Sequence, residues 1–188
     1  MKIKLLIFYL AIVLALSAIV FLYNHPHAPI TLRDAKVCQA YVLQTKSDVM
    51  LKWMGDHDTN PPIPLPNFDA PQFGVKLDTY WIVSGPITCE RSIRQQVENL
   101  LDDPFIYGRP AKVKVIFSAD HAYRLISSTG TIVVLIQVGS GWFKVRKYDL
   151  RGRIVDDSGL VASGDQWLKP LNQTFPNDGG IIRAMNRR

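Results

Sequence analysis

The sequence lacks the short motifs that mark several large enzyme classes. It contains no G-x-S-x-G elbow for a nucleophilic serine, no P-loop and no G-x-G-x-x-G turn. Its only two cysteines, Cys38 and Cys89, do not form a C-x-x-C pair, which disfavours a zinc site. The sequence therefore predicts a non-enzymatic protein with no metal and no cofactor.

Charged residues are scarce as well. They make up 20% of the chain, and the formal net charge is +6. A moderately basic protein favours anionic surroundings such as phospholipid headgroups, acidic glycans or an acidic protein patch. Nucleic acid would fit the charge alone, but the membrane placement that the N-terminal sequence indicates makes it a poor partner. We therefore predict no nucleic-acid binding.

No charged residue occurs between Leu5 and Tyr23. As a helix this run would be about 28 Å long, close to the thickness of the hydrocarbon core of a bilayer. A buried core helix explains the run poorly, because such helices are usually shorter or carry a polar stripe. The run predicts a transmembrane helix, with residues 1–24 forming a short cytoplasmic stub and a signal-anchor.

A cleaved signal peptide is the alternative. Lys2 and Lys4 supply the basic start, but the apolar run exceeds the roughly 7–15 residues that a signal peptide needs. The small residues Ala15 and Ser17 lie inside the run, and a cut after Ala28 would be followed directly by proline. The sequence therefore favours a retained anchor.

The orientation follows from the flanking cations. Two lysines precede the run, whereas Arg33 and Lys36 are the first cations after it. Positive flanks tend to stay in the cytoplasm, which predicts a single-pass protein of the inner (cytoplasmic) membrane with its N-terminus inside. Residues 25–33 form an extended linker, and residues 34–188 form one extracytoplasmic domain of periplasmic type.

The cysteines predict a disulfide in such an oxidising compartment, between Cys38 and Cys89. Closing a loop of roughly 50 residues would stabilise the fold by about 4 kcal/mol in the chain-entropy model. Two buried free thiols are the alternative.

The fold class predicted for the domain is α+β. Residues 34–54 show no single period and are interpreted as a helix followed by a strand. Five prolines in residues 55–71 exclude a helix or a central strand. They predict a surface loop, or else an extended segment that docks in an aromatic groove. Leu77–Val83 is predicted to be a strand that ends at Ser84-Gly-Pro86.

A helix should follow, with Thr88 as N-cap, an ion pair between Glu90 and Arg94, and an end at Asp103-Pro104. Its apolar stripe comprises Ile93, Val97, Leu100 and Leu101. The last third is predicted to be an antiparallel β-meander with strands at 112–117, 123–127, 131–138, 142–150 and 153–156. One or two helices should pack on this meander. The tail from Gly159 is predicted to be irregular. It should pack against the core through the apolar side chains of Trp167, Leu168, Leu171 and Phe175.

The best candidate for a binding surface is the penultimate strand. A period of two places Trp142, Lys144, Arg146 and Tyr148 on one face. The following turn extends the positive charge through Arg151 and Arg153. Cations interleaved with aromatic rings suit anionic lipid, glycan or an acidic protein surface. The alternative is a solvated sheet face whose long basic side chains cover the rings.

Acid–base groups are concentrated at Asp56, His57 and Asp58. A histidine flanked by carboxylates suits general base catalysis or metal binding, but adjacent residues rarely converge on one ion, and a hydrated turn is favoured. His121, beside Asp120, is predicted to lie in an exposed turn at a strand end.

These patterns predict a membrane-anchored binding or assembly protein of the cell envelope. Its partner would be a protein, either a subunit of an envelope complex or a target restrained as by an inhibitor or immunity protein. The alternatives are an envelope hydrolase or metal-dependent enzyme centred on Asp56, His57 and Asp58, and a lipid- or glycan-binding module that uses the Trp142–Tyr148 face.

Overall fold

The computed structural model describes residues 2–24, 35–44, 76–77, 80–107 and 117–187, and in the first segment the side chains of residues 7–20. The described chain contains an N-terminal helix, a seven-stranded antiparallel sheet and several shorter helices. The predicted α+β class is therefore confirmed. The predicted Pro-rich loop at 55–71 and the strand expected at 112–117, apart from its last residue, lie outside the described residues.

Helix α1 spans Lys2–Asn24. The large apolar side chains described in it are between 40% and 63% exposed, and none belongs to the core of the domain. Among the described residues, no helix is long and apolar enough to cross a membrane. The prediction of a helix is confirmed, whereas its transmembrane assignment is not supported by the structure.

The sheet has the strand order β2-β3-β1-β4-β5-β6-β7, and all its pairs are antiparallel. The strands are β1 Val37–Gln44, β2 Lys76–Leu77, β3 Tyr80–Thr88, β4 His121–Ile126, β5 Thr131–Gln137, β6 Trp142–Tyr148 and β7 Ile154–Val161. Strands β4 to β7 form the meander that the sequence predicts. Each is joined to the next by a short turn, which keeps these pairings local.

Strand β5 lies in the middle of the meander, as its almost wholly apolar sequence predicts. Ile132, Val134 and Ile136 belong to a large core cluster on one face of the sheet. Val133 and Leu135 belong to a second cluster on the other face. A strand with both faces buried needs apolar side chains at every position, which explains the unbroken run.

Strand β1 replaces the helix expected after residue 34, so that prediction was wrong. Cys38 and Ala40 belong to the large cluster, whereas Tyr41 and Leu43 belong to the cluster on the opposite face. Because side chains of the two clusters cover both faces of β1, apolar residues do not simply alternate with polar ones along it.

Strand β3 continues through the predicted stop at Ser84-Gly-Pro86 and ends at Thr88. β2 pairs only with Tyr80 and Trp81, so the rest of β3 has β1 alone as a described neighbour. Proline is tolerated at such an edge because it has no N–H to contribute to a ladder. The predicted end was therefore wrong.

Helix α2, Arg91–Asp102, buries Ile93, Val97 and Leu101 against the sheet, as predicted. Its N-cap is Glu90 rather than Thr88, because Thr88 is still the last residue of β3. The predicted Glu90–Arg94 ion pair is replaced by a contact of 3.7 Å between Arg94 and Glu98 one turn further on. The helix ends before Asp103-Pro104, as predicted, and a 3₁₀ turn Pro104–Ile106 follows.

The C-terminal tail is helical rather than irregular. A 3₁₀ turn, Gly164–Trp167, leads into α3, Leu168–Thr174, and α4, Gly179–Asn186, follows. With α2, three helices accompany the sheet instead of one or two, because short helices stabilised mainly by tertiary packing leave a weak sequence signal. The predicted anchoring residues are all buried: Trp167, Leu168, Leu171 and Phe175.

Candidate functional site

Strand β6 has the alternation expected for the predicted binding strand. Phe143 and Val145 are fully buried in the large core cluster. Lys144 and Arg146 point to the opposite face, beside Leu135 and Val133 of β5. Lys144 and Arg146 therefore lie over the second core cluster and not on an open face.

The carboxylate of Asp157 in β7 forms ion pairs with both cations of this face, Lys144 and Arg146. Its Oδ2 lies 3.0 Å from Lys144 Nζ and 3.0 Å from Arg146 Nε. Burial alone would raise the pKa of Asp157, but hydrogen bonds from Lys144, the Gly159 amide and Arg146 outweigh it and lower the pKa. The Lys144 and Arg146 side chains are 22% and 19% exposed, so little of their charge is available to an external ligand.

The two aromatic residues of the predicted face differ in their surroundings. Tyr148 packs against the second core cluster, which makes it part of the fold. Trp142 is half-buried at the other end of β6, opposite Gln137. The structure therefore does not combine the two rings into one aromatic platform.

The turn between β6 and β7 is built around Asp149. Its carboxylate accepts hydrogen bonds from the backbone N–H groups of Arg151 and Arg153 and pairs with the Arg153 guanidinium at 2.8 Å. The hydrogen bond from the Arg153 amide is the largest cause of a lowered pKa at Asp149. Leu150, at the tip, is 75% exposed. Within the described residues Arg151 has no carboxylate partner, so the tip presents one free cation beside an apolar side chain.

Among the described strands, β7 is the outer one at this side of the sheet. Ile154 and Val155 are 51% and 56% exposed, and Asp156 is exposed next to them. The β6–β7 pairing has two register irregularities, one between Ile154 and Asp156 and one between Asp157 and Leu160, where the left-handed Gly159 lies. The exposed apolar part of the edge is therefore short, contains the first of these irregularities and adjoins the arginine-bearing turn.

His121 is buried, which corrects its predicted position in an exposed turn. Its Nδ1 lies 2.9 Å from Asp120 Oδ1, and its Nε2 lies 3.3 Å from Asp178 Oδ2, a close charge contact without good hydrogen-bond alignment. The ring also packs on Phe175 with centroids 5.3 Å apart. Sequence reasoning missed Asp178, although an aspartate before Gly-Gly-Ile-Ile is a recognisable helix N-cap.

Asp178 joins this histidine to the start of α4. Its Oδ1 accepts hydrogen bonds from the N–H groups of Gly180 and Ile181. Burial pushes the pKa of Asp178 up, but these hydrogen bonds and the neighbouring His121 charge lower it overall. The group borders a cavity of about 470 Å³ that Arg183 also lines. His121 is the first residue of β4, and Asp178 is the N-cap of α4. Their contact therefore joins these two elements, which indicates a structural role.

Cys38 and Cys89 face each other across β1 and β3. The Cys89 N–H donates to the Cys38 carbonyl oxygen at 2.9 Å, and the Cys89 thiol donates to the Ile87 carbonyl oxygen at 3.9 Å. Both sulfurs are present as thiols, so the predicted disulfide stays a prediction. Cys38 is buried, whereas Cys89 is half-buried and lines a cavity of about 390 Å³.

Asp56, His57 and Asp58 lie outside the described residues, so the structure does not place this group. Within the described residues, no group of three or more His, Cys, Asp or Glu side chains could hold a metal ion. No family model, no curated protein and no solved structure matches the chain.

Proposed function

We propose that this protein is a membrane-tethered binding protein whose domain takes up an extended segment of a protein partner along the open edge of β7. The observation that carries the proposal is the exposure of Ile154 and Val155, 51% and 56%, on an outer strand. An unpaired strand edge offers backbone N–H and C=O groups to an incoming strand, and its apolar side chains supply burial.

The tether is part of the same proposal and rests on the sequence. The uncharged run Leu5–Tyr23 has the length of a bilayer core as a helix. The apolar side chains described in α1 are exposed to solvent and contribute to neither core cluster, so they are available to lipid. We propose an inner-membrane anchor with the domain on the extracytoplasmic side, in keeping with the N-terminal lysines.

Charge complementarity favours an acidic and apolar partner segment. The end of the edge nearest the turn carries the free cation of Arg151 and the 70% exposed Arg153. Asp156 marks the other end of the open part. The partner should therefore place an acidic side chain near the two arginines and apolar side chains against Ile154 and Val155. An anionic lipid or glycan fits less well, because two of the three cations of β6, Lys144 and Arg146, are already paired with Asp157.

The contribution of the apolar contacts follows from the exposed area. Full burial of a Val or Ile side chain is worth about 1.5–3 kcal/mol, and roughly half of each of these two side chains remains to be buried. Together they should contribute roughly 1.5–3 kcal/mol to binding. Introducing one charge in their place should weaken binding by about tenfold or more, since 1.4 kcal/mol corresponds to a factor of ten.

Photo-crosslinking in intact membranes tests the proposal, with a photoreactive amino acid in place of Val155. Val83 of β3 is the matched control, because it is also a strand valine, is 58% exposed and has only β1 as a described neighbour, but lies far in the sheet order from the arginine-bearing turn. We expect a discrete, protease-sensitive adduct from position 155 and none from position 83. The crosslinked partner segment should be acidic and apolar.

A synthetic peptide of that segment should bind the full chain in detergent micelles. Val155→Lys should weaken this binding, whereas Val83→Lys should leave it unchanged. An adduct with a second copy of the chain, a protease-resistant adduct with lipid or glycan, equal adducts at both positions, or no adduct at position 155 would each refute the proposed edge.

A further inference from the structure

The two cysteines occupy directly opposed positions in the β1–β3 ladder. Gln39 pairs with Thr88, and the same register places Cys38 opposite Cys89. Opposed residues of an antiparallel pair have Cβ atoms about 4.5–5.5 Å apart, close to the roughly 3.5–4.5 Å of a disulfide. The backbone hydrogen bond between the two residues fixes this alignment. A disulfide therefore needs only a small movement of the two strands.

The two thiols are not equivalent. Cys38 is 2% exposed and belongs to the large core cluster. Cys89 lies at the boundary between that core and a cavity of about 390 Å³ lined by Ser92, Gln173 and Thr174. A cavity of this size admits a small molecule. An incoming reagent can therefore reach Cys89 without unfolding, whereas it reaches Cys38 only through Cys89 or through local opening.

The two neighbouring thiols also differ in pKa. Interaction with Cys89, together with burial, raises the pKa of Cys38. Interaction with Cys38 lowers the pKa of Cys89 despite its partial burial, which favours the thiolate there. The thiolate is the nucleophile in disulfide exchange. Cys89 is therefore favoured as the attacking residue both by its accessibility and by its lower pKa.

We propose that Cys38 and Cys89 form a redox-active dithiol in which Cys89 reacts with a low-molecular-weight disulfide from the cavity and Cys38 completes an internal disulfide. The proposal does not depend on the partner assigned to β7. It differs from a purely structural disulfide because it assigns different roles to the two sulfurs.

The reaction with a disulfide RS–SR proceeds in two exchanges. The Cys89 thiolate attacks one sulfur, the S–S bond breaks, and RS⁻ leaves with the electron pair and takes up a proton. Cys38 then gives its proton to solvent and attacks the Cys89 sulfur of the mixed disulfide, which expels the second RS⁻. The two cysteines are oxidised by two electrons in total, and RS–SR is reduced to two RSH.

Oxidised glutathione tests these roles on the reduced full chain in detergent micelles, followed by intact mass spectrometry. Wild type should lose two hydrogen atoms and retain no glutathione. Cys38→Ser should retain one glutathione at Cys89. Cys89→Ser should stay unmodified while folded and react only after denaturation. Equal glutathione adducts on both variants, an adduct on folded Cys89→Ser alone, or a wild type that keeps both thiols would overturn the proposal.

A second measurement needs no variant and covers the case in which a serine substitution prevents folding. Limiting N-ethylmaleimide applied to the reduced wild type, followed by peptide mapping, should alkylate Cys89 at least about tenfold faster than Cys38, because a buried thiol reacts only through local opening. Equal rates, or faster alkylation of Cys38, would contradict the assigned roles.

Discussion

Asp157→Asn tests whether Lys144 and Arg146 of β6 belong to the fold or to a ligand site. The carboxylate lies 3.0 Å from both Lys144 Nζ and Arg146 Nε, with side-chain exposures of 33%, 22% and 19% respectively. Exposed ion pairs contribute about 0.2–1 kcal/mol each, and breaking a buried pair costs about 3–5 kcal/mol. After discounting for solvent screening at this exposure, the substitution should cost roughly 1–2 kcal/mol at neutral pH.

The pH dependence of the stability provides a second test of the same prediction. The pKa of Asp157 is lowered in the folded state, so its stabilisation is fully present above the ordinary aspartate pKa of about 3.9. It is lost as the pH falls through the lower folded value. The difference in stability between wild type and Asp157→Asn should therefore shrink as the pH falls from 5 towards the folded pKa of Asp157.

Urea unfolding of the full chain in detergent micelles, followed by tryptophan fluorescence, measures both effects. Asp156→Asn is the matched control, because Asp156 is exposed and the asparagine oxygen can still accept the N–H of Asp157. A neutral-pH stability of Asp157→Asn within about 0.3 kcal/mol of that control would refute the reasoning, because it would mean that the ion pairs contribute nothing measurable.

Two further predictions concern the C-terminal helices. Asp178→Ala removes the N-cap of α4 and should cost about 1 kcal/mol or more by urea unfolding, whereas Asp178→Asn keeps an acceptor and loses only the charge facing His121. Since the pKa of Asp178 is lowered, its charge stabilises the fold above about pH 3.9. The Tm of wild type should therefore fall more than that of Asp178→Asn between pH 5 and 3, and parallel curves would exclude this role. Gly164→Ala would place a Cβ 2.5 Å from the Gly141 carbonyl carbon and should lower the Tm by several degrees, whereas Gly139→Ala meets nothing within 4 Å and should leave it within a degree or two. Equal Tm values for the two alanine variants would rule out the close backbone approach.

The meander illustrates what local pattern can predict. The alternation of Phe143 and Val145 with Lys144 and Arg146 was sufficient to assign the faces of β6. The unbroken apolar run of β5 was sufficient to place it centrally. Both patterns reflect the two-residue repeat of a strand, which is a property of the local backbone. The helix stripe of Ile93, Val97 and Leu101 reflects the 3.6-residue repeat in the same way.

The candidate sites depended on partners that are distant in sequence or not specified by the local pattern. His121 beside Asp120 has the local pattern of an exposed turn, but Asp178 and Phe175 cover it. The basic face of β6 has the pattern of an open ligand surface, but Asp157 lies between its cations. The periodicity of a single segment does not indicate such contacts, because they form only when separate elements pack together.

The sequence by itself determined that an uncharged run heads the chain, that an α+β meander follows, and which residues of its strands and of α2 are apolar. Tertiary structure alone decided that residues 37–44 form a strand between β3 and β4, that the tail is helical, and that Cys38 lies opposite Cys89. The physical reason is that a strand is stabilised by neighbours on both sides. Which of two marginal local conformations a segment adopts therefore depends on pairings and burial supplied by distant parts of the chain.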